Sequence, residues 1–128
     1  MEKKVIVTDA APAPVGPYSQ AIKLGDFLYC SGQIAIEPSS GDLLTSNIAE
    51  ETEQVMKNIG AVLAANNMSY QNIFKTSIFL IRMSDFNAVN EVYSKYFKDD
   101  PPARSCVAVS ELPKGVNVEI EVIAHVAQ

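Results

Sequence analysis

The chain has 128 residues, of which 48% are apolar and 20% are charged, and a formal net charge of −5. This length predicts a single domain over residues 1–128 with its own core, and the composition argues against a disordered chain or a disulfide-stabilised miniprotein. The acidic balance disfavours general binding to nucleic acid and to anionic membranes, because both depend on Lys and Arg.

The N-terminal sequence lacks the features of an exported or membrane-anchored chain. No apolar run approaches the roughly 20 residues of a membrane span, and the apolar stretch at 5–7 is shorter than a signal peptide requires. Cys30 and Cys106 form no CxxC pair and have no nearby histidine, so we expect no zinc site. A cytoplasmic location with reduced thiols is the expectation that follows.

Three short strands are predicted in the first third of the chain. The β-branched residues at 5–8 predict the first strand. A loop rich in proline follows at 10–17. Residues 18–24 and 27–31 then flank a Gly-Asp pair, which predicts a β-hairpin.

Two helices are predicted in the middle of the chain, with a strand at 73–81 between them. Asn47 is the predicted cap of the first helix, with Glu50 as its capping-box partner. A stripe of apolar residues follows at helical spacing: Ile48, Val55, Ile59, Val62 and Leu63. Ser84 is the predicted cap of the second helix, whose apolar face is formed by Phe86, Val89, Tyr93 and Phe97.

Two further strands are predicted after the second helix, at 105–109 and 116–126. The order β-β-β-α-β-α-β-β indicates an α+β fold, with one sheet of about six strands and both helices packed on one of its faces. The opposite face must then be solvated or covered by another copy of the chain.

Most motifs of common chemistry are absent from the sequence. It contains no GxGxxG, GxxxxGK, HExxH or GxSxG segment. The only histidine, His125, lies three residues from the C-terminus, which gives poor support to a Ser-His-Asp or Cys-His mechanism. One histidine cannot form a multi-histidine metal site within one chain.

Two charged residues in apolar surroundings are candidates for a site. Arg104 follows a Pro-Pro-Ala segment that would hold its backbone in place, and its guanidinium matches a carboxylate in geometry. The pattern alone allows a surface ion pair or an anion-binding site. Glu119 shares a strand face with Glu121, and either could line a cleft or a solvated sheet face.

Polar residues of smaller size complete the candidate set. Asn90 interrupts the apolar stripe of the second helix, which predicts a buried hydrogen bond. Cys106 lies on the strand face of Arg104, where an inert buried thiol is the simplest interpretation. Tyr18 stands at a loop-to-strand junction, and Ser31 precedes a glycine, Gly32, that permits close backbone approach. Both segments suit either ligand contact or plain turn chemistry.

Five segments together resemble a known family. They are GPYSQA at 16–21, SGQI at 31–34, PARSCV at 102–107, LPK at 112–114 and VEIE at 118–121. In this order they resemble the Rid/YjgF family, specifically its reactive intermediate deaminase A branch (2-iminobutanoate/2-iminopropanoate deaminases). Two positions, Ala35 and Pro101, depart from the family's usual residues, and both lie in loops near the expected site.

The resemblance implies a chorismate-mutase-like α+β fold assembled as a homotrimer. In that assembly the sheets form a central barrel, and the ligand clefts lie between subunits. It also implies an enzyme that hydrolyses reactive 2-imino and enamine acids, such as 2-iminopropanoate and 2-iminobutanoate, to 2-oxo acids and ammonia. The reaction uses no cofactor and no metal.

The resemblance also implies roles for individual residues. Arg104 is expected to bind the substrate carboxylate, Glu119 to position the attacking water, and the backbone at Cys106 to face the substrate nitrogen. The remaining expected substrate-binding residues are Tyr18, Ser31, Gly32 and Asn90.

Two other functions stay open at this stage. The chain could bind small carboxylates, such as 2-oxo acids, as a sensor without turnover. It could also cleave RNA or inhibit translation, although the net charge of −5 disfavours binding to nucleic acid. A basic face formed by Lys57, Lys75 and Lys95 in the trimer would favour that last function.

Overall fold

The structure, a computed structural model, describes residues 2–127. Its elements follow the predicted order and form a mixed six-stranded sheet with two α-helices, which confirms the predicted α+β class. The strands are β1 (Lys3–Ile6), β2 (Ala21–Leu24), β3 (Phe27–Gln33), β4 (Ile73–Leu80), β5 (Ala103–Ala108) and β6 (Val118–His125). The helices are α1 (Ile48–Ala64) and α2 (Phe86–Ser94).

The strand order across the sheet is β1-β2-β3-β6-β4-β5. Neighbouring strands are antiparallel except β4 and β5, which run parallel because α2 carries the chain back between them. The C-terminal strand β6 therefore lies between β3 and β4, while β5 forms an edge. This order places the segments that carry Glu119 and Arg104 on different strands, with β4 between them.

One face of the sheet is covered by α1 and α2. The predicted stripe of α1 lies in this core: Val55, Ile59, Val62 and Leu63 are fully buried, while Ile48 is only partly buried. These side chains pack with inward-facing residues of the strands, among them Leu28, Ile78, Leu80 and Ile120. Burying each such side chain contributes about 1.5–3 kcal/mol to folding, so this layer fixes the sheet that carries the site.

The opposite face, here called the open face, has no helix of the chain on it. Large apolar side chains stay partly exposed there, among them Phe27 at 38%, Tyr29 at 44% and Val107 at 48%. The ring of Phe27 lies 5.8 Å from that of Phe74 and 4.7 Å from that of His125, measured between centroids. An aromatic surface of this kind is typical of a face that meets a partner.

The start of the second helix was predicted wrongly. Ser84 lies inside a short 3₁₀ turn, Met83–Asp85, and the α-helix begins only at Phe86. Asp85 occupies the cap position with helical backbone angles and without a capping hydrogen bond, and its carboxylate accepts from Arg82 at 3.2 Å. Phe97, the predicted last residue of the apolar face, lies beyond the helix end but still packs against the core.

Only one of the two hydrogen bonds of the predicted capping box is present at the start of the first helix. The side chain of Asn47 accepts a hydrogen bond from the backbone of Glu50 at 2.9 Å. The carboxylate of Glu50 accepts from Ser46 rather than completing a capping box. Among the described residues, no helix is both long and apolar enough to cross a membrane.

Candidate active site

A cleft of about 330 Å³ lies on the open face where β3 ends and β6 begins. Glu119 and Glu121 of β6 form its floor together with Ser31 and Gly32 of β3. Its walls come from segments without regular structure: the proline-rich loop (Pro12, Ala13, Val15, Tyr18), the segment after β3 (Ile34, Ile36) and Pro113. Mixed polar and apolar lining of this kind suits a small polar ligand with an aliphatic part.

Glu119 is the half-buried carboxylate of this cleft. It projects onto the open face because Val118 and Ile120 on either side are fully buried under the helices. Burial raises the pKa of Glu119, and the nearby charge of Glu121 raises it further. A carboxylate with a raised pKa is a stronger proton acceptor than a solvated one, which suits general-base chemistry.

The carboxylate of Glu119 lies directly against the backbone of Gly32. A Cβ atom at position 32 would lie 2.8 Å from the carboxyl carbon of Glu119, closer than a stable contact allows. The register between β3 and β6 shifts between Cys30 and Gln33, and such a bulge brings Gly32 to this position. Any larger residue at position 32 would therefore displace the side chain of Glu119 from this position.

Tyr18 and Ser31 form one side of the cleft. The Ser31 hydroxyl donates to the carbonyl of Ser19 at 2.6 Å, so it ties β3 to the proline-rich loop. The Tyr18 hydroxyl accepts from the backbone of Val15 at 3.2 Å, and its ring stays 46% exposed. Tyr18 is thus oriented by the loop and open to a ligand.

Two buried amides hold the irregular walls. The side chain of Gln20 accepts from the backbone of Thr8 at 2.8 Å and donates to Thr8, Ala11 and Pro12 carbonyls at 3.0, 3.3 and 2.8 Å. The side chain of Asn58, on α1, donates to the carbonyls of Ile34 and Ile36 at 3.0 and 2.9 Å. Each amide replaces the backbone pairing that these segments lack.

Arg104 lies in a separate recess of about 360 Å³ between α2 and β5. Its guanidinium carbon stacks 5.5 Å from the ring centroid of Phe86 and 5.2 Å from that of Tyr93. The hydroxyl of Tyr93 is hydrogen-bonded to that of Thr76 at 2.9 Å inside the core, which fixes the ring. The aromatic rings of α2 therefore orient a side chain that remains exposed.

Asn90 is the polar partner of Arg104. One guanidinium nitrogen donates to the side-chain oxygen of Asn90 at 2.6 Å, so the predicted hydrogen bond exists but lies at the surface rather than in the core. Within residues 2–127 the structure records an ion pair for Arg82, with Asp85 at 3.2 Å, and none for Arg104. The other donors of the guanidinium are available to an incoming anion.

Cys106 lies two residues beyond Arg104 on β5 and packs partly against the core. Burial raises the pKa of its thiol, and the charge of Arg104 acts in the opposite direction. Burial also raises the pKa of Cys30 to about 12. Both thiols are therefore protonated near neutral pH and poor nucleophiles.

Within one chain Arg104 and Glu119 do not meet. Arg104 is opposite Thr76 in the β4–β5 pairing, on the helix-covered side of the sheet. Glu119 is opposite Phe79 in the β4–β6 pairing, on the open face. The candidate residues thus fall into two groups: Tyr18, Ser31, Gly32 and Glu119 in the cleft, and Asn90, Arg104 and Cys106 at the edge of the sheet.

The three lysines that would support binding to RNA do not converge in the chain. Lys75 belongs to β4 and lies beside Tyr29 and Glu121 on the open face. Lys57 belongs to α1, and Lys95 follows the end of α2. In the part of the chain that the structure describes, no cluster of three or more His, Cys, Asp or Glu side chains is placed to hold a metal ion.

Sequence reasoning missed the buried polar residues that support the cleft, namely Gln20, Glu51 and Asn58. A signal existed for Glu51, because it lies three residues after Ile48 and four before Val55 on the apolar stripe of α1. A charged residue at such a position must have partners in the core. Gln20 was predicted only as a residue of the strand at 18–24, and no buried role was assigned to it.

The chain matches a family model over residues 8–126, that of the family described as Endoribonuclease L-PSP. It is similar to the human 2-iminobutanoate/2-iminopropanoate deaminase, with 46% identity over 95% of this chain and 89% of the human protein. It is also similar to a RutC family protein of Pyrococcus horikoshii, with 49% identity over 96% of this chain and 98% of the archaeal one.

The fold is likewise similar to that of a solved structure. A protein of the conserved Rid family from Yersinia pestis superimposes with a TM-score of 0.94 at 50% identity. The match covers 97% of this chain and 99% of that one. The sequence match and the structural superposition therefore both extend over nearly the whole length of the chain.

Proposed function

This chain belongs to the endoribonuclease L-PSP (Rid/YjgF) family, and on that premise we propose that it is an enzyme that hydrolyses 2-imino acids to 2-oxo acids and ammonia. The observation that carries the proposal is that the chain presents two complementary groups: the guanidinium of Arg104, which forms no ion pair within residues 2–127, and the half-buried carboxylate of Glu119, whose pKa is raised. The 46% identity to the human deaminase supports the reaction class.

The active site is assembled between two copies of the chain. Arg104 and Glu119 occupy opposite sides of the sheet, so one copy cannot bring them to one small substrate. Burial of the exposed aromatic surface of the open face would favour association of the copies. In the homotrimer implied by the resemblance, Arg104 of one subunit reaches the Glu119 cleft of its neighbour.

Arg104 binds the substrate carboxylate. Asn90 and the rings of Phe86 and Tyr93 hold the guanidinium in one orientation, so little side-chain entropy is lost on binding. Two parallel hydrogen bonds from its remaining donors fix both the position and the direction of the carboxylate. The imine carbon, which is bonded to that carboxylate, is placed by the same contact.

Glu119 acts on the attacking water. As the water oxygen bonds to the imine carbon, the carboxylate accepts a proton from the water and passes it to the imine nitrogen, which gives a tetrahedral adduct with one hydroxyl and one amino group. The carboxylate then accepts the hydroxyl proton and passes it to the amino nitrogen as the C–N bond breaks, which releases ammonia and the 2-oxo acid. The imine carbon is already electrophilic, so positioning and one proton acceptor supply the catalysis.

Tyr18, Ser31 and the Gly32 backbone form the rest of the pocket. The exposed ring of Tyr18 covers one side of the substrate, and Gly32 lets Glu119 lie close to the sheet. Cys106 contributes its backbone to the neighbouring cleft rather than its thiol, whose pKa is raised by burial. The reaction needs no group beyond these side chains and water.

A trapping assay tests the reaction. An amino-acid oxidase generates the 2-imino acid in the presence of semicarbazide, which captures the imine as a semicarbazone. We expect wild-type protein to suppress the semicarbazone and Arg104→Ala to leave it unchanged. Equal semicarbazone with and without wild-type protein, across several amino-acid precursors, would contradict the deaminase proposal.

A further inference from the structure

Glu51 is a fully buried carboxylate on α1 that contacts the start of β6. Its oxygens accept hydrogen bonds from the backbone of Asn117 at 2.7 Å, the backbone of Val118 at 3.0 Å and the side chain of Asn117 at 2.8 Å. A buried carboxylate is costly unless such donors surround it. The three hydrogen bonds therefore hold the chain at residues 117 and 118 against α1.

The start of β6 pairs with β4 through Glu119 and Val118, and the carbonyl of Asn117 accepts from Ile81 at 3.2 Å, but the side that faces β3 has few backbone partners. Its recorded pairing with β3 ends at Ile120, opposite Gln33. A 3₁₀ turn, Pro113–Gly115, precedes it and contains two residues with positive φ, Lys114 at 56° and Gly115 at 69°. On that side Glu51 supplies the acceptors that β3 would otherwise provide for the backbone N–H groups of residues 117 and 118.

We propose that Glu51 is a positioning residue for Glu119, which sets the position of the catalytic carboxylate by fixing the backbone one and two residues before it. This inference rests on the proposed function of Glu119. Glu51 does not touch the substrate, since it lies within the core beneath the helix-covered face. It acts through the peptide units of Asn117 and Val118.

The contact between Glu119 and Gly32 makes the position of the Glu119 carboxylate sensitive to small movements of β6. The carboxylate lies so close to the glycine backbone that a Cβ atom at position 32 would force the Glu119 side chain to move. A small shift of β6 at 117–118 would thus change both the distance from Glu119 to its water and its burial. Misplacement of about 1 Å at a reacting centre lowers a rate by as much as a hundredfold.

The other end of β6 provides a matched control. Asn72 is also buried, and its side chain donates to the carbonyls of His125 and Val126 at 2.9 and 3.3 Å. Glu51 and Asn72 therefore anchor the two ends of the same strand with buried polar side chains. Only the contacts of Glu51 lie next to Glu119 in sequence, at residues 117 and 118, whereas those of Asn72 lie six and seven residues beyond it.

The experiment compares Glu51→Ala, Glu51→Gln and Asn72→Ala in the trapping assay, with stability measured by denaturant unfolding. We expect kcat of Glu51→Ala to fall by about tenfold or more while that of Asn72→Ala stays within about twofold. Glu51→Gln is expected to restore kcat to within about threefold, because its oxygen accepts from the backbone while Asn117 rotates its amide. Equal losses in Glu51→Ala and Asn72→Ala would overturn the proposal.

A second measurement does not depend on turnover. Carbon-13 NMR follows the titration of the Glu119 carboxyl, and Glu121 is the charged neighbour that must be titrated with it. In Glu51→Ala we expect the pKa of Glu119 to fall toward the ordinary glutamate value as water enters, and to stay unchanged in Asn72→Ala. If Glu51→Ala does not fold, Asn117→Ala, which removes one of the three donors, is expected to give the same change to a lesser degree.

The two measurements separate the failure of this proposal from failure of the proposed function. A wild-type protein without deaminase activity removes the proposed function, and the Glu119 titration still decides whether Glu51 positions the carboxyl. A fully active wild type whose Glu119 pKa is the same in every variant overturns the positioning role of Glu51 and leaves the function in place.

Discussion

The two halves of the proposed site are built in different ways. The Glu119 cleft is held by buried hydrogen bonds: Gln20 fixes the proline-rich loop, Asn58 the segment after β3, and Glu51 the start of β6. The Arg104 recess has an exposed guanidinium held by two rings and one hydrogen bond to Asn90.

The difference indicates what each half does. A water molecule and a small reacting carbon need a carboxylate placed to within a fraction of an ångström, and buried anchors provide that precision. A cation that receives an anion needs a defined direction and unoccupied donors, and stacking provides both. The Glu119 cleft is formed within one chain, whereas in the proposed site the Arg104 half needs a ligand and a neighbouring copy to complete it.

Mixing two inactive variants gives the largest expected effect. Arg104→Ala keeps a normal cleft, and Glu119→Gln keeps a normal arginine. If each site takes Glu119 from one subunit and Arg104 from the next, subunit exchange in an equal mixture restores about a quarter of the sites to wild type. The measurement is deaminase activity after the mixture has been unfolded and refolded together.

The control for that experiment refolds each variant alone. Neither should recover activity, because every site in such an oligomer lacks the same residue. A mixture that stays as inactive as its components would place both residues in one subunit's site and contradict the comparison of two half-sites.

The two arginines of the chain offer the next test. Arg104→Ala removes a charged hydrogen-bond donor worth about 1.5–3 kcal/mol, so kcat/KM should fall at least about tenfold. Arg82→Ala removes an exposed ion pair with Asp85 and should leave kcat/KM unchanged. Steady-state kinetics of both variants decide this, and similar losses in the two would show a general effect of charge rather than a carboxylate site.

A methyl group added at Gly32 tests the position of Glu119 in its cleft without changing the Arg104 recess. Gly32→Ala forces Glu119 away from the sheet, so we expect kcat to fall by about tenfold while the oligomer persists. Gly16→Ala is the matched control, since its nearest contact would be an ordinary 3.7 Å to the ring of Tyr18. A Gly32→Ala variant with wild-type kcat would mean that the position of Glu119 is not critical.

The pH dependence of catalysis sharpens the assignment of Glu119. The carboxylate accepts a proton only when ionised, and burial and Glu121 raise its pKa. The acid limb of kcat/KM should therefore lie above the ordinary glutamate value, and Glu121→Gln should move it to lower pH. Identical pH–rate profiles for wild type and Glu119→Gln would show that Glu119 is not the base.

Much of the fold could be predicted from local pattern. The alternation around Glu119 predicted that Glu119 and Glu121 share one strand face, and the structure has both on the open face, opposite the buried Val118 and Ile120. The stripe of α1 was right for Val55 and Ile59. The error at Ser84 arose because a serine before an apolar stripe gives the same signal in a 3₁₀ turn as at a helix cap.

The site was less accessible to sequence reasoning because its geometry is tertiary. Nothing in the spacing of residues 104 and 119 shows that their strands are separated by β4 and present opposite faces. The contact of Gly32 with Glu119 depends on a bulge between β3 and β6. Such features follow from register and crossover, which local propensity does not determine.

The smallest expected effect concerns stability and has a definite sign. Because the pKa of Glu119 is raised in the folded state, ionising it costs free energy of folding. That cost is absent below the ordinary glutamate pKa, grows as the pH rises through the raised value, and stays constant above it. Glu119→Gln should therefore unfold at slightly higher denaturant concentration than wild type at neutral pH, and at the same concentration in acid. Gly32→Ala should instead unfold at lower urea concentration than wild type at both pH values, because the added methyl group displaces the Glu119 side chain whether or not it is ionised. Urea titrations of the two variants at neutral and acidic pH therefore separate the cost of ionising Glu119 from the cost of displacing it.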